Sequence, residues 1–309
     1  MADEDWIETV EMHTAGEPVR IVTGGWPRLE GATLLAKRRE ALARQDHLRR
    51  VLVAEPRGPA DMYGAVLVAP DLPEADLAVL FLHNEGYSTM CGHAVIALGR
   101  FAVERGLVPA REPETVVRIQ CPCGLVPATV EVADGRASRV RFASVPAFAF
   151  ARDAVVLTEG WGPVALVIGY GGAFYAILPA ATLGLDLATS PVARLIEAGM
   201  AIKHAAAAQI PLAHPDDPDL AFLYGTILTD GASEATTNVC VFADGQVDRS
   251  PTGSGVTARM ALMHRRGQVA QGEPRRFSSI TGGAFTAQVV AATRAGPHPT
   301  VIVEVAGEA

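Results

Sequence analysis

Apolar and polar residues alternate along many short segments of this chain, whereas a few longer segments place apolar residues at helical spacing. The run at residues 9–13, the polar turn at residues 14–18 and the run at residues 19–22 together predict a hairpin. Further alternating segments, each ended by Gly, Pro or Asp, predict antiparallel strands at residues 115–120, 128–132 and 138–142. Strands are also predicted at residues 164–169, 174–178 and 223–228.

Two longer segments have the spacing of helices. Residues 32–50 carry leucines and alanines among charged neighbours, which predicts one amphipathic surface helix. Its basic residues are expected on a solvated face: Lys37, Arg38, Arg39, Arg44, Arg49 and Arg50. The alanine-rich segment at residues 191–208 predicts a second helix.

One pattern occurs twice: an apolar run, a turn of small residues and an alanine-rich stretch able to form a buried helix. Cys91 opens the first copy, which follows the run at residues 78–82, and Thr252 takes its place in the second, which follows residues 239–242. The two positions are 161 residues apart, about one domain length. We therefore predict two pseudo-symmetric domains, residues 1–147 and residues 148–309, with a cleft between them. A strand near residues 298–309 is expected to return to the first domain.

Composition narrows the class of protein. The 309 residues are 49% hydrophobic and carry a net charge of −8, which argues against a nucleic-acid partner and leaves a small molecule as the expected ligand. The acidic start at residues 1–5 does not resemble a secretory signal, and no apolar run is long enough to predict a membrane span. The four cysteines are too irregularly spaced for a disulfide scaffold, so we expect reduced thiols and a cytoplasmic protein.

The replacement of cysteine by threonine is the main clue to chemistry. A thiol at a helix N-terminus meets positive dipole charge and free backbone N–H groups, which predicts a lowered pKa and available thiolate for Cys91. The hydroxyl of Thr252 cannot become a comparable base. The pattern thus predicts one reactive face and one hydrogen-bonding face. The competing interpretation is that Cys91 is a buried cysteine that only fills space.

Residues beside these two positions are candidates for ligand binding. Gly92 removes side-chain bulk where a ligand carboxylate would approach the backbone, and His93 adds a titratable partner. Asp248 could accept hydrogen bonds from a ligand ammonium, although a turn or N-cap aspartate would look the same. Gly253 and Ser254 predict an anion-binding nest at the second helix start, with a flexible turn as the alternative.

No metal or cofactor is expected. Cys121 and Cys123 are separated by a single residue, which is not the spacing of common zinc or thioredoxin motifs. The histidines are scattered without a zincin spacing, and the glycine pairs do not form a phosphate loop.

The chain resembles the proline racemase family along nearly its whole length. The resemblance rests on residues 90–93 and 248–255, supported by residues 12–18, 55–58, 61–65, 83–88, 170–175 and 237–239. It implies an α/β (α+β) fold of the diaminopimelate epimerase type. In that fold two similar domains each wrap a β-barrel-like sheet around a central helix, and a cofactor-free active site lies between them. The resemblance also implies a homodimer, with Tyr63 and Phe242 as pocket walls.

Thr252 departs from the pattern of the family's racemases and epimerases, which have a cysteine on each face of the substrate's α-carbon. Because inversion needs a base on one face and an acid on the other, the loss of one cysteine undermines that mechanism. The Cys/Thr pair resembles the branch that dehydrates trans-3-hydroxy-L-proline, and this implies catalytic roles for Cys91 and Thr252. The alternatives are a hydroxyproline epimerase or proline racemase and, from another class, a non-catalytic imino-acid binding protein.

Overall fold

A computed structural model describes residues 6–232 and 234–309 of the chain, so the acidic segment at residues 1–5 lies outside the described residues. The first half contains three helices, α1 (Leu34–Arg44), α2 (Asp46–Val53) and α3 (Gly92–Glu104). Its eight strands are β1 (Glu8–Thr14), β2 (Glu17–Gly24), β3 (Gly64–Val68), β4 (Leu77–Leu82), β5 (Tyr87–Ser88), β6 (Glu114–Cys121), β7 (Gly124–Ala133) and β8 (Arg136–Ala143).

The second half adds the helices α4 (Val192–Gln209) and α5 (Gly253–Arg265) and two short 3₁₀ helices at Ala180–Leu183 and Pro218–Leu220. Its nine strands are β9 (Ala147–Thr158), β10 (Gly162–Tyr170), β11 (Phe174–Pro179), β12 (Leu223–Thr229), β13 (Ala235–Phe242), β14 (Gln246–Asp248), β15 (Arg275–Ser279), β16 (Ala284–Ala295) and β17 (His298–Gly307).

Strand pairing repeats between the halves. In the first half an antiparallel hairpin of β1 and β2 leads through helices to β3, which lies parallel to β2, and β4 lies parallel to β6. In the second half β10, β11, β12, β13 and β15 pair in the same way, with α4 in place of α1 and α2. The strands β9 to β13, β15, β16 and β17 form a closed ring, since β17 also pairs with β9.

Each sheet surrounds one helix, α3 or α5, whose residues are mostly apolar or small; the buried Arg259 of α5 donates hydrogen bonds to Asn238 and Thr236. In each of the two helices 11 of 13 residues are buried, as expected for helices that pack inside a sheet and have no solvent face. Most buried apolar residues of both halves form one continuous hydrophobic core, and a second, smaller cluster lies between helices α1 and α2 and strands β2 to β5. These features confirm the predicted architecture of two barrel-like sheets around central helices.

The last strand joins the halves. One end of β17, at Thr300 and Val301, pairs with β9, and its other end, from Glu304 to Gly307, pairs with β8 of the first half. The boundary between residues 147 and 148 stays a prediction; β9 begins at Ala147.

The predicted hairpin is confirmed, with a tight turn at Ala15 and Gly16 in which both residues have positive φ. The predicted strands lie within β6, β7, β8, β10, β11 and β12, and the alanine-rich helix is α4. Among the described helices, none combines the length and apolar character needed to cross a membrane.

The single helix predicted at residues 32–50 was wrong, because Gln45 breaks the helical conformation and separates α1 from α2. The expectation of a solvated basic face was also wrong in part. Lys37 and Arg49 are buried, and each donates to backbone carbonyls: Lys37 Nζ to Ala69 at 2.6 Å, and Arg49 to His83 at 2.7 Å. Long basic side chains can satisfy carbonyls inside the protein, which periodicity alone does not reveal.

Candidate active site

The N-termini of α3 and α5 meet at the centre of the molecule. A Cβ atom built on Gly92 would lie 2.5 Å from the Cα of Gly253, and one on Gly253 would lie 2.8 Å from the Cα of Gly92. Both distances are far below van der Waals contact, so glycine at these positions lets the two backbones touch. The sequence-based reason for Gly92 was ligand access; the structure adds close packing of the helices.

A buried cavity lies beside this contact. Twelve residues line it: Tyr63, Met90, Cys91, Gly92, His93, Tyr175, Tyr224, Phe242, Asp248, Thr252, Gly253 and Ser254. All nine residues singled out from the sequence are among them. The cavity volume is about 10 Å³, room for about one water molecule.

Sequence reasoning missed four residues of this region. Met90, Tyr175 and Tyr224 line the cavity, and Glu17 lies just behind it. Tyr175 and Glu17 do fall in segments that carry the family resemblance, which was a usable signal. Tyr224 fell in a predicted strand and carried no separate signal.

Cys91 is the N-cap residue of α3 and is buried, and its Sγ lies 3.1 Å from Nδ1 of His93. Burial raises the pKa of the Cys91 thiol well above its usual value, and the nearby carboxylates of Asp248 and Glu17 add to this effect. The backbone N–H of Ala94 and the hydroxyl of Tyr63 act in the opposite direction. The predicted lowering of this pKa was therefore wrong: desolvation outweighs the helix terminus in the closed cavity.

His93 is also buried, and its ring packs edge-on against Tyr63 with the ring centroids 4.9 Å apart. Burial lowers the pKa of His93 to about 3. The imidazole is therefore neutral at physiological pH, so it can exchange hydrogen bonds with the thiol but cannot offer a permanent positive charge.

Two carboxylates lie close to this imidazole. One ligand atom each from Glu17, His93 and Asp248 lies within 4.8 Å of the others, a spacing that suits a cation, either an ammonium group or a metal ion. Burial raises the pKa of Asp248 to about 6. Burial and the negative charge of Asp248 raise the pKa of Glu17 well above its usual value. Oε2 of Glu17 accepts a 2.7 Å hydrogen bond from the N–H of Arg249. Its Oε1 is buried and has no partner among the described residues.

Thr252 occupies the N-cap position of α5 with φ of 66° and ψ of 90°. A β-branched residue in this left-handed region is strained, at a cost of about 1–3 kcal/mol. Its Oγ1 is buried and, within residues 6–232 and 234–309, has no partner at ordinary hydrogen-bond geometry. It nevertheless lies near enough to Asp248 and Cys240 to lower the pKa of each. A strained backbone and an unsatisfied hydroxyl at the cavity wall are features of a ligand-binding position.

The two helix starts offer backbone N–H groups to the cavity. The first backbone hydrogen bonds of α3 and α5 run from Val95 to the carbonyl of Cys91 and from Val256 to that of Thr252. The N–H groups of Gly92, His93, Gly253 and Ser254 come earlier and have no acceptor within their helix. Two adjoining helix N-termini with free donors form a strong site for an anion such as a carboxylate.

Hydrogen bonds join the two halves close to Asp248. Asn84 donates from its N–H to Oε1 of Gln246 at 3.1 Å and exchanges two further bonds with the backbone of Asp244. The backbone N–H of Val247 donates to Oδ1 of Asp61 at 3.1 Å, so strand β14 and its Asp248 are positioned by the first half.

Comparison with known proteins places this arrangement in a family. The family model described as proline racemase matches residues 9–309, and the chain belongs to that family. The two segments on which the resemblance chiefly rests, residues 90–93 and 248–255, both contribute residues to the cavity wall.

Three relatives give the range of similarity. A human protein named trans-3-hydroxy-L-proline dehydratase is 56% identical over 312 residues, covering 98% of this chain and 88% of the relative. A protein of Burkholderia multivorans named 3-hydroxyproline 2-epimerase is 46% identical over 306 residues, covering 98% and 91%. The crystal structure of a hydroxyproline epimerase from Agrobacterium vitis, with bound trans-4-hydroxy-L-proline, superposes with a TM-score of 0.94 at 30% identity, covering 99% of this chain and 89% of that one.

Proposed function

We propose that this protein dehydrates trans-3-hydroxy-L-proline to Δ1-pyrroline-2-carboxylate. The observation that carries the proposal is the unequal pair of helix starts around one cavity, with the thiol of Cys91 on one side and the hydroxyl of Thr252 on the other. The activity named for the human relative, which matches 98% of this chain at 56% identity, is the same dehydration.

The stereochemistry of the substrate fits a single base. In trans-3-hydroxy-L-proline the carboxylate and the hydroxyl lie on opposite faces of the ring, so the C2 hydrogen lies on the hydroxyl's face. The Cys91 thiolate removes this hydrogen, the 3-hydroxyl leaves, and the Δ2 product tautomerises to the Δ1 imine. A base on the second face is unnecessary for elimination, which agrees with a threonine there.

The free N–H groups of Gly92, His93, Gly253 and Ser254 bind the substrate carboxylate in this proposal. They also stabilise the charge that builds on the carboxylate as C2 loses its proton, and each such preorganised donor is typically worth about 3 kcal/mol. Tyr63 and Phe242, whose ring centroids are 6.2 Å apart, form the wall against the ring. The unsatisfied hydroxyl of Thr252 gains a hydrogen bond from the ligand.

The ring ammonium binds at Asp248 with His93 beside it. The negative charge of Asp248 is one cause of the raised pKa of Cys91. An ammonium group bound at Asp248 neutralises that charge and so lowers the pKa of the thiol. Substrate binding thereby assists ionisation of its own base, and no metal or nicotinamide enters the proposed reaction.

A second candidate is 2-epimerisation of a hydroxyproline, which the name of the 46% identical Burkholderia multivorans relative favours. Epimerisation requires a proton to be delivered from the second face. Thr252 would have to relay it from a water molecule, since its own hydroxyl is a poor acid. Proline racemisation faces the same obstacle, and a purely binding role leaves the Cys91 thiol without a purpose.

The deciding experiment is incubation of purified protein with trans-3-hydroxy-L-proline, trans-4-hydroxy-L-proline and L-proline, in the presence and absence of a metal chelator, with NMR of the products. We expect the cyclic imine from the first substrate only, with or without chelator. Efficient epimerisation of the 4-hydroxy substrate with no imine from the 3-hydroxy substrate would overturn the proposal.

We also propose that the protein is a cytoplasmic homodimer. The family resemblance supports the dimer. Cys91, Cys121, Cys123 and Cys240 are too few and too irregularly spaced for a disulfide scaffold, which supports a reducing compartment. Sedimentation velocity should give twice the monomer mass, and a monomer at micromolar concentration would contradict the dimer. Fluorescent tagging in the source cell tests the compartment.

A further inference from the structure

Removal of the C2 proton is only half of a dehydration, because hydroxide is a poor leaving group and needs a proton as the C–O bond breaks. The departing hydroxyl lies on the same face as the C2 hydrogen, so its proton donor must lie on the side of Cys91. The following inference rests on the proposed dehydratase function and concerns which group supplies that proton.

Tyr63 has the required position. Its side chain is 1% exposed, it lines the cavity, and its hydroxyl is hydrogen-bonded to the hydroxyl of Ser88. The hydroxyl of Tyr63 lies near enough to the Cys91 thiol to lower the thiol's pKa. The hydroxyl of Tyr224 lies near enough to Tyr63 to lower the pKa of Tyr63. Tyr63 precedes strand β3 and Ser88 ends β5, so both belong to the half that carries Cys91.

The thiol formed on Cys91 lies on the same face and is the competing donor, which the comparison of substrates below distinguishes from Tyr63. Three further side chains of the cavity are less suited. His93 is neutral and its Nδ1 faces the sulfur at 3.1 Å, so a proton on that nitrogen is directed to Cys91. The hydroxyl of Tyr175 is bonded to Oγ of Ser254 at 2.6 Å, at the start of α5 and so on the Thr252 side. The ring of Tyr224 stacks on Phe242 with centroids 5.3 Å apart and extends from strand β12 of the second half.

We propose that Tyr63 is the general acid that protonates the departing 3-hydroxyl. The C2–H bond breaks and its proton goes to Sγ of Cys91, while the electron pair of that bond forms the C2=C3 double bond. The C3–O bond breaks with its electron pair on oxygen, Oη of Tyr63 gives its proton to that oxygen, and water leaves. The tyrosinate then takes the proton from the Cys91 thiol, which restores thiolate and phenol for the next turnover.

The chemistry of a phenol suits this role. Burial raises the pKa of Tyr63 well above its usual value, which keeps the hydroxyl protonated and able to donate at neutral pH. The hydroxyl of Ser88 lowers the pKa of Tyr63, as expected when it donates to the phenolate oxygen. The return transfer is short because Tyr63 and Cys91 are neighbours in the cavity wall.

The test compares Tyr63→Phe with Tyr175→Phe and Tyr224→Phe, which remove the same atom from other tyrosines of the cavity. Each variant and the wild type receive trans-3-hydroxy-L-proline and, separately, trans-3-fluoro-L-proline, whose fluoride leaves without protonation. We expect Tyr63→Phe to lower kcat on the hydroxy substrate by about 100-fold or more, the range for a lost general acid. On the fluoro substrate its loss should be at least tenfold smaller, whereas any loss in Tyr175→Phe should be equal on the two substrates.

Three outcomes would overturn the proposal. The first is an equal loss of kcat in Tyr63→Phe on both substrates, and the second is a loss of less than about tenfold on the hydroxy substrate, which is too small for a general acid. The third is a larger loss of kcat in Tyr224→Phe than in Tyr63→Phe. Melting temperatures of the variants separate these outcomes from misfolding. If Tyr63→Phe does not fold, Ser88→Ala removes the hydroxyl that is hydrogen-bonded to Tyr63. Its loss of kcat should be smaller than that expected for Tyr63→Phe, and it should again be larger on the hydroxy substrate than on the fluoro substrate. Failure of the wild type to form imine from the hydroxy substrate would instead refute the dehydratase function itself.

Discussion

The two helix starts share their surroundings but differ in the residue at the cap. Both α3 and α5 begin after a short strand, are buried along 11 of 13 residues and direct free N–H groups to one cavity. Cys91 has an ordinary extended backbone with φ of −145°, whereas Thr252 is held at φ of 66° with its hydroxyl unsatisfied. In the proposed reaction, anion binding is therefore duplicated between the halves, while proton transfer is concentrated in the first.

This difference shows how a symmetric site can acquire a one-sided reaction. In the proposed reaction the substrate carboxylate takes donors from both helix starts, and both offer glycine and free N–H groups. The base is needed on one face only if the reaction ends in elimination rather than inversion. Four substitutions test this reading of the two half-sites, and they are ordered here from the largest expected effect to the smallest.

Cys91→Ser should lower the dehydration rate by at least about 100-fold, because an alcohol at this position hardly ionises at neutral pH. Turnover measured by imine formation, with a melting curve to verify the fold, checks this. Iodoacetamide should inactivate the wild type at Cys91, and pyrrole-2-carboxylate, a planar mimic of the deprotonated ring, should protect it. A serine variant with more than about a tenth of the wild-type rate would contradict a thiolate base.

Asp248→Asn should weaken substrate binding and stabilise the fold. The pKa of Asp248 is raised to about 6, so the folded state holds its proton more tightly than the unfolded state. This carboxyl therefore costs stability as pH rises from its ordinary pKa through 6, by up to about 3 kcal/mol at neutral pH. Chemical denaturation at pH 5 and pH 8 measures the effect, which should grow with pH.

The same variant should make the Cys91 thiol more reactive toward iodoacetamide at pH 8, because the charge of Asp248 helps to raise the thiol's pKa. Its kcat/KM should nevertheless fall, since the ring ammonium loses its partner. A variant that is less stable at pH 8 than the wild type would show that the carboxylate is not strained.

Gly253→Ala should destabilise the contact between the half-sites by about 1–3 kcal/mol, the usual cost of overpacking. The new Cβ would lie 2.8 Å from Cα of Gly92, so the helix starts must separate. Gly86→Ala is the matched control, because a Cβ there meets no atom within 4 Å. Gly253→Ala should have a lower free energy of unfolding and a lower kcat/KM than Gly86→Ala. Equal stability of the two variants would mean that the backbone contact between Gly92 and Gly253 is not tight.

Thr252→Cys should add a small epimerase or racemase activity and weaken dehydration. Two opposed thiols allow a proton to be removed from one face and delivered to the other. The new thiol would be buried beside Asp248, which disfavours its thiolate, so we expect only a small rate. Solvent deuterium at C2 of L-proline with accumulation of D-proline would support this; an unchanged product spectrum from a folded variant would mean that Thr252 does not separate the two reactions.

Local patterns predicted much of the fold, because strand alternation and helix periodicity report burial directly. The hairpin of β1 and β2, the strands β6 to β8 and helix α4 were predicted for this reason. The break at Gln45 and the burial of Lys37 and Arg49 were not, since both depend on what the helices pack against.

The members of the site were predictable from motifs, but their electrostatics were not. The helix terminus next to Cys91 is visible in the sequence and predicted a lowered pKa. The burial of the thiol, and the approach of Asp248 and Glu17 from distant segments, are properties of the closed structure, and they reverse the direction. Tyr224 was missed because nothing in its strand distinguishes a cavity wall from core.

The position of β17 has a consequence for how this chain is made. Residues 304–307 supply the neighbour of β8, and residues 300–301 supply the neighbour of β9 that closes the second ring. The N-terminal sheet therefore lacks its last strand until nearly the whole chain has left the ribosome. Many multidomain proteins complete each domain as it emerges. Here both halves reach their final hydrogen bonding in the same late step, and a chain interrupted before residue 298 would leave two unfinished sheets with open edges.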